Sequence, residues 1–209
     1  PLRASWPLIE AKGVREIPLV ESRVELPAKP KPLPQLDVTK VSQAPAADSD
    51  WPPAVAIAQH PDGAALRTTP GQMRLAHDGT NLYVAVTVPV KDTTKLRLGT
   101  KWNEDDAAEV CFRDASGATP GPTFVVHGFA NGQWETVAEA GAIAAAVGKL
   151  DTAVRFTARV GSGQWTGEWV LPLAAAGLTY RPGLKLGFNV GVRRTESAEW
   201  LQWTGSSLL

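Results

Sequence analysis

The densest group of side chains suited to ligand chemistry is Trp102-Asn103-Glu104-Asp105-Asp106, where an aromatic residue precedes three acidic ones. An indole stacks on the CH-rich face of a sugar ring, and carboxylates accept hydrogen bonds from its hydroxyl groups. Clustered carboxylates also bind calcium, although the spacing of a regular calcium-binding loop is absent. The structural interpretation is an acidic turn before a strand, with Trp102 covering the edge of a sheet. Ligand contact, a calcium site and a structural turn therefore remain open for this segment.

The sequence offers little machinery for catalysis. It contains no Gly-x-Ser-x-Gly, no Gly-x-x-x-x-Gly-Lys and no His-Glu-x-x-His motif. Among the three histidines, His127 alternates with apolar residues in a predicted strand, and we expect it to have a surface role. Glu168 would need a second carboxylate across a cleft to act as a glycosidase acid, so we interpret it as a structural charge. The chain is predicted to bind a ligand and to have no catalytic residues of its own.

Charge and composition narrow the classes of partner. Lys plus Arg and Asp plus Glu both count 21, so the formal net charge is zero, and nothing favours nucleic acid as a partner. No run of about 18 apolar residues predicts a membrane span. Cys111 is the only cysteine, and a zinc site built around it would need three more ligands from only three histidines.

The pattern of strands predicts an all-β fold over residues 38–209. Apolar and polar residues alternate in Gly71–His77 and again in 82–88, on either side of an Asp78-Gly79 turn. Two more hairpins are predicted around Ala130-Asn131-Gly132 and Gly161-Ser162-Gly163. Strands that recur about every ten residues indicate an antiparallel, jelly-roll-like β-sandwich. Two short stretches have helical character, an Ala-rich one at 139–147, which is equally compatible with a loop, and a single turn at 172–177.

Residues 1–37 form a separate, extended N-terminal arm in this interpretation. Alternation at 13–20 and 22–26 predicts a pair of short strands, and the prolines of 27–34 predict an extended polyproline segment. The arm is either the end of a preceding domain with a linker, or a set of edge strands along the sandwich. Because the chain begins at Pro1, we expect it to be part of a longer polypeptide.

Five segments, taken in order, resemble the family 9 carbohydrate-binding modules and their DOMON-like superfamily. They are Asp48-Ser49-Asp50-Trp51, residues 77–86, 102–114 and 167–173, and 182–190 with its continuation to Trp203. The resemblance covers roughly residues 39–205. It implies a β-sandwich that binds sugars and is attached to secreted polysaccharide-degrading enzymes.

The resemblance also implies roles for single residues. Trp102 matches the first of two tryptophans that enclose the sugar ring in the family, and no residue of this sequence matches the second. Glu109 resembles the acidic partner in the following strand. The arginine and the glutamine of the family site are replaced by Val125 and Gly191.

The predicted function is a non-catalytic carbohydrate-binding module of a larger secreted, periplasmic or cell-surface protein, an accessory part of a glycoside hydrolase or a similar enzyme. Its partner would be a glycan or oligosaccharide, and calcium is the one cofactor considered. The predicted ligand-binding residues are Trp102, Asp105, Asp106, Glu109, Arg193 and Arg194. One alternative is an interaction module that packs on a partner domain or subunit. Another is a haem-binding electron-transfer subunit, although Met73, the only methionine, lies away from the expected axial position.

Overall fold

The computed structural model describes residues 5–10, 13–18, 33–66 and 68–204, and the chain forms two compact units, Pro1–Pro34 and Gln35–Leu209. In the first unit, β1 (Ser5–Glu10) pairs antiparallel with β2 (Gly13–Pro18). Strand β2 lies within the predicted 13–20 segment, but its partner precedes it in the chain. The predicted strand at 22–26 and residues 27–32 of the proline segment lie outside the described residues.

The second unit consists of two sheets, so the prediction of an antiparallel all-β sandwich is confirmed. Its elements are β3 (Thr39–Lys40), β4 (Val55–Ile57), β5 (Gly71–His77), β6 (Asn81–Pro89), β7 (Ala107–Asp114), β8 (Phe124–Phe129), β9 (Trp134–Val137), α1 (Ala144–Asp151), β10 (Arg155–Gly161), β11 (Gln164–Pro172), β12 (Leu186–Arg194) and β13 (Glu199–Gln202).

The order of strands brings distant segments together in each sheet. The six-stranded sheet runs β10-β11-β6-β5-β3, with β4 also paired to β5, and the five-stranded sheet runs β13-β12-β7-β8-β9. The three predicted hairpins are confirmed as the antiparallel pairs β5–β6, β8–β9 and β10–β11. The two-residue pairing of β3 with β5 is parallel.

The hydrophobic core lies between the two sheets, because alternate residues of each strand point inward. Trp165, Trp169 and Leu171 of β11 are fully buried there, as are Val110 and Phe112 of β7. Full burial of such a side chain stabilises the fold by about 1.5–3 kcal/mol. A register slip by one residue would turn this set outward, so the core fixes which side chains face solvent.

Helical structure is limited to short segments among the described residues. The Ala-rich stretch gives helix α1, which begins at Ala144 and buries Val147 and Leu150, whereas 139–143 is not helical. The predicted turn after Pro172 is a 3-10 helix over Leu173–Ala176 that ends at Gly177 in the left-handed conformation (φ 73°). Over the part of the chain that the structure describes, no helix is both long and apolar enough to cross a membrane.

A substitution at Gly128 of β8 can test how tightly the two sheets pack. A Cβ added there would lie 2.6 Å from Phe156 Cε2 and would also press on the Trp169 indole, both in the opposite sheet. We therefore expect Gly128→Ala to lower the free energy of unfolding by about 1–3 kcal/mol, the usual cost of overpacking. Gly148→Ala, in α1 with open space around its Cβ, should instead raise it by about 0.5–1 kcal/mol. Urea denaturation of both variants measures the difference, and equal effects would contradict this description of the core.

The carboxylate of Asp78, in the β5–β6 turn, should make the protein less stable in acid. Partial burial opposes ionisation of Asp78, but hydrogen bonds donated by Tyr83 Oη (2.6 Å) and by the backbone amides of Asn81 and Thr80 (both 2.7 Å) lower its pKa to about 2. Because this lies below the ordinary value of 3.8, the stabilisation is complete above that value and disappears as the pH falls towards 2. We expect Asp78→Asn to flatten the acid limb of a stability–pH curve, and an unchanged limb would contradict the assignment.

Candidate functional site

The candidate site lies on the outer face of the five-stranded sheet, opposite the core. Strand pairing aligns one polar row across all five strands, from Gln202 (β13) through Gly191 (β12), Glu109 (β7) and His127 (β8) to Glu135 (β9). Neighbouring residues in such a row have Cβ atoms about 4.5–5.5 Å apart. The polar row therefore brings together side chains that are up to 93 positions apart in the sequence (202 − 109).

His127 is the centre of the polar row. Its side chain is 1% exposed, its Nδ1 lies 2.9 Å from Glu135 Oε1, and its Nε2 lies 3.3 Å from Glu109 Oε2. Glu139, in the loop after β9, places Oε1 3.9 Å from the same Nε2. The expected surface role of His127 is therefore wrong, because every residue of β8 is buried and both faces of the strand are covered.

The glutamates determine the protonation of this imidazole. Burial disfavours the charged ring, but the hydrogen bonds to Glu109 and Glu135, together with their negative charges, raise the pKa of His127 above its ordinary value. Protonated, the ring donates to one carboxylate from each nitrogen. Close contact with two acids is thus what allows a titratable ring to be buried here.

Trp102 covers this histidine. The two rings stack with centroids 3.8 Å apart and planes 9° from parallel, and Trp200 meets the Trp102 indole edge-on at 5.0 Å and 67°. Both indoles remain half-buried. Trp102 thus lies on the outer face of the sheet and not between the sheets, and the face of its indole that stacks on His127 is closed to a ligand.

Arg193 contacts Trp200 and the residue that follows Trp102. Its Cζ lies 5.5 Å from the centroid of the Trp200 ring, within the range of a cation–π contact. Its Nε donates to the carbonyl of Asn103 (3.2 Å), a residue in the left-handed conformation (φ 75°) directly after Trp102. Of the six predicted ligand-binding residues, the structure gathers Trp102, Glu109 and Arg193 around His127 and Trp200.

The other three predicted residues form hydrogen bonds within the protein. Asp106 is 1% exposed and accepts from the amides of Arg97 and Thr195 (both 2.9 Å) and from Thr195 Oγ1. Asp105 accepts from the amide of Lys101 (2.7 Å). The acidic segment thereby stabilises its own turn, and calcium binding there stays a prediction.

Arg194 lies on the inward side of β12 and is 3% exposed. Its guanidinium donates to the carbonyls of Thr69 (2.9 Å) and Pro89 (3.2 Å) and to Glu199 Oε2 (2.7 Å). Although it is adjacent to Arg193 in sequence, strand alternation directs it to the opposite face of the sheet.

Sequence reasoning missed four residues of this site, namely Glu135, Glu139, Trp200 and Gln202. Alternation within β7 and β8 signals that Glu109 and His127 each leave the core face, but only the strand pairing shows that they are adjacent. Gln202 is 5% exposed, and its Oε1 accepts no hydrogen bond from the residues that the structure describes.

Comparisons with known proteins identify the fold. No protein-family model matches the sequence. No curated protein matches it either. Two solved structures of a family 9 carbohydrate-binding module from Caldicellulosiruptor kristjanssonii are similar to it.

The structure in complex with cellotriose is 16% identical (TM-score 0.53), and the one with glucose is 17% identical (TM-score 0.54); each alignment covers 79% of this chain and 83% of the module. At this identity the likeness shows the fold, so the described sandwich has the fold of a family 9 carbohydrate-binding module.

The structural role of Asp106 gives a prediction of its own. Asp106→Ala leaves two partly buried backbone amides and one hydroxyl without their acceptor, which we expect to cost about 1–3 kcal/mol in unfolding free energy. Glu104→Ala, in the same turn but with a 64% exposed side chain, should change it by less than about 0.5 kcal/mol. Chemical denaturation of the two variants measures the difference, and a mild effect of Asp106→Ala would indicate that the carboxylate is free for a ligand.

Proposed function

We propose that this chain is a non-catalytic carbohydrate-binding module that contacts its ligand on the outer face of the five-stranded sheet. The observation that carries the proposal is the pair of half-buried indoles, Trp102 and Trp200, set at an angle beside charged side chains. The shared fold supports it, because both similar modules were solved with a bound sugar.

Each side chain of the site has a distinct part in this proposal. In this proposal the side of Trp102 that faces away from His127 packs against the CH groups of a sugar ring, and Trp200 forms one side of the binding site. The carboxylate of Glu135, 44% exposed, accepts from a hydroxyl group, and Arg193 donates to another. Glu109 is 8% exposed and hydrogen-bonded to His127, so we assign it to holding the imidazole under Trp102 and not to direct contact with the sugar.

We further propose that the module is an accessory part of a larger carbohydrate-active protein that works outside the cytoplasm. Two findings support this. The similar structures are both carbohydrate-binding modules, and the sequence resembles the same family. In this role the module concentrates its parent protein on a polysaccharide without taking part in bond cleavage.

Isothermal titration with glucose and cellotriose, followed by a panel of other mono- and oligosaccharides, tests the proposal. We expect saturable binding by the wild type and a loss of at least tenfold in Trp102→Ala, which corresponds to about 1.4 kcal/mol. Trp134→Ala is the matched control, because this tryptophan is 40% exposed and lies in β9 on the side of the strand opposite Glu135. Its affinity should equal that of the wild type.

Two results would contradict the proposal. Absence of heat with every sugar rejects carbohydrate binding, and equal affinities of wild type and Trp102→Ala remove the site from this face of the sheet.

An interaction module is the second candidate, and one surface favours it. Ile143 is 71% exposed beside a mostly apolar concavity of about 360 Å³, lined also by Pro122, Phe124 and Ala176. Contiguous exposed apolar surface of this kind is where another protein can pack. In this case the sugars of the panel would leave the melting temperature unchanged.

A further inference from the structure

We propose that Glu109, His127 and Glu139 bind a divalent transition-metal ion of the zinc class on the outer face of the five-stranded sheet, beside Trp102. These three residues are called the His–Glu cluster below. The inference uses different atoms from the proposed sugar contacts and does not depend on them.

The spacing of the His–Glu cluster suits a single small ion. One ligand atom from each residue lies within 4.8 Å of the other two, with His127 Nε2 3.3 Å from Glu109 Oε2 and 3.9 Å from Glu139 Oε1. Ligands held at about 2.1 Å in a tetrahedron are separated by about 3.4 Å. Only Glu139 has to move closer, and its side chain is 55% exposed in a loop. The buried pair therefore already has the spacing of two zinc ligands.

The surroundings of His127 orient it as a metal ligand. Glu135 Oε1 lies 2.9 Å from Nδ1, so it accepts the proton of that nitrogen and leaves Nε2 for the ion. A carboxylate on the far nitrogen is the usual partner of a metal-bound histidine, because it fixes both the tautomer and the ring orientation. Stacking against Trp102 sets the plane of the ring. Since the lone pair of Nε2 lies in that plane, it is directed towards Glu109 and Glu139.

Charge also favours an ion at this point. Two carboxylates converge on Nε2, which can offer at most one proton to them. An ion of charge +2 balances both carboxylates, and it replaces the single proton as the group that holds them near the ring. The three ligands leave a fourth position open for water, as in zinc sites that carry three protein side chains.

An independent observation points to a bound group beside Glu109. The Oε1 atom of Gln202 is buried and accepts no hydrogen bond among the described residues. Gly191, which lies between Gln202 and Glu109 in the polar row, has no side chain, and an added Cβ would lie 3.7 Å from Glu109 Oε1 and 3.9 Å from Gln202 Nε2. A water bound to the ion on this side supplies the donor that the glutamine oxygen lacks.

The ligand set selects the class of metal. Imidazole nitrogen suits zinc and its transition-metal neighbours, whereas calcium and magnesium prefer sites made of oxygen atoms alone. Cys111, on the same face of β7, stays outside the set, because it is not among the residues whose ligand atoms converge within 4.8 Å.

Titration of the chelator-treated protein with Zn²⁺ tests the inference. We expect one ion per chain, and an affinity at least tenfold lower in Glu139→Gln, a variant that should fold because the side chain is exposed. Glu104→Gln, which alters an equally exposed carboxylate outside the cluster, should bind Zn²⁺ as the wild type does. Co²⁺ should give a visible d–d spectrum with the wild type that is lost in His127→Gln.

Three results would overturn the inference: no binding of either ion, equal affinities in the wild type and Glu139→Gln, or binding of Ca²⁺ in place of Zn²⁺. Sugar titrations of the same samples separate the two proposals. Zn²⁺ binding without sugar binding rejects only the carbohydrate proposal, and sugar binding without Zn²⁺ binding rejects only the metal site.

Discussion

The outer face of this sandwich depends on the burial of one imidazole between two carboxylates. A ring that carries charge is costly to remove from water unless its nitrogen atoms find partners. His127 has such partners because β8 lies between β7 and β9, so that Glu109 and Glu135 stand on either side of it in one row. Trp102 can then cover the ring, since the polar atoms of His127 lie in the ring plane and its faces need no hydrogen bonds.

The position of β8 is set from its other face. Gly128 directly follows His127 and points into the core, where the absence of a side chain lets Trp169 and Phe156 of the opposite sheet approach. Consecutive residues of one strand thus serve the two faces of the sheet, and packing in the core holds the candidate site in place.

The acidic segment after Trp102 forms hydrogen bonds that position that residue. Asp106 links the backbone at Arg97 to the turn at Thr195, and Asp105 closes the local turn at Lys101. These bonds fix the loop that carries the indole across the sheet. The carboxylates of Glu135 and Glu139, which flank His127, are far more exposed than that of Asp106.

Alternation of apolar and polar residues and the chemistry of three turns were sufficient to predict the sandwich and its hairpins, because these are local properties of the chain. The burial of His127, the use of Asp106 and Arg194 in internal hydrogen bonds, and the approach of Glu139 and Gln202 were decided only by the tertiary structure. Side-chain alternation leaves open which strands are neighbours and in which register they pair. The register determines which charges meet, and that meeting determines whether a histidine within a strand is exposed to water or buried at the centre of a site.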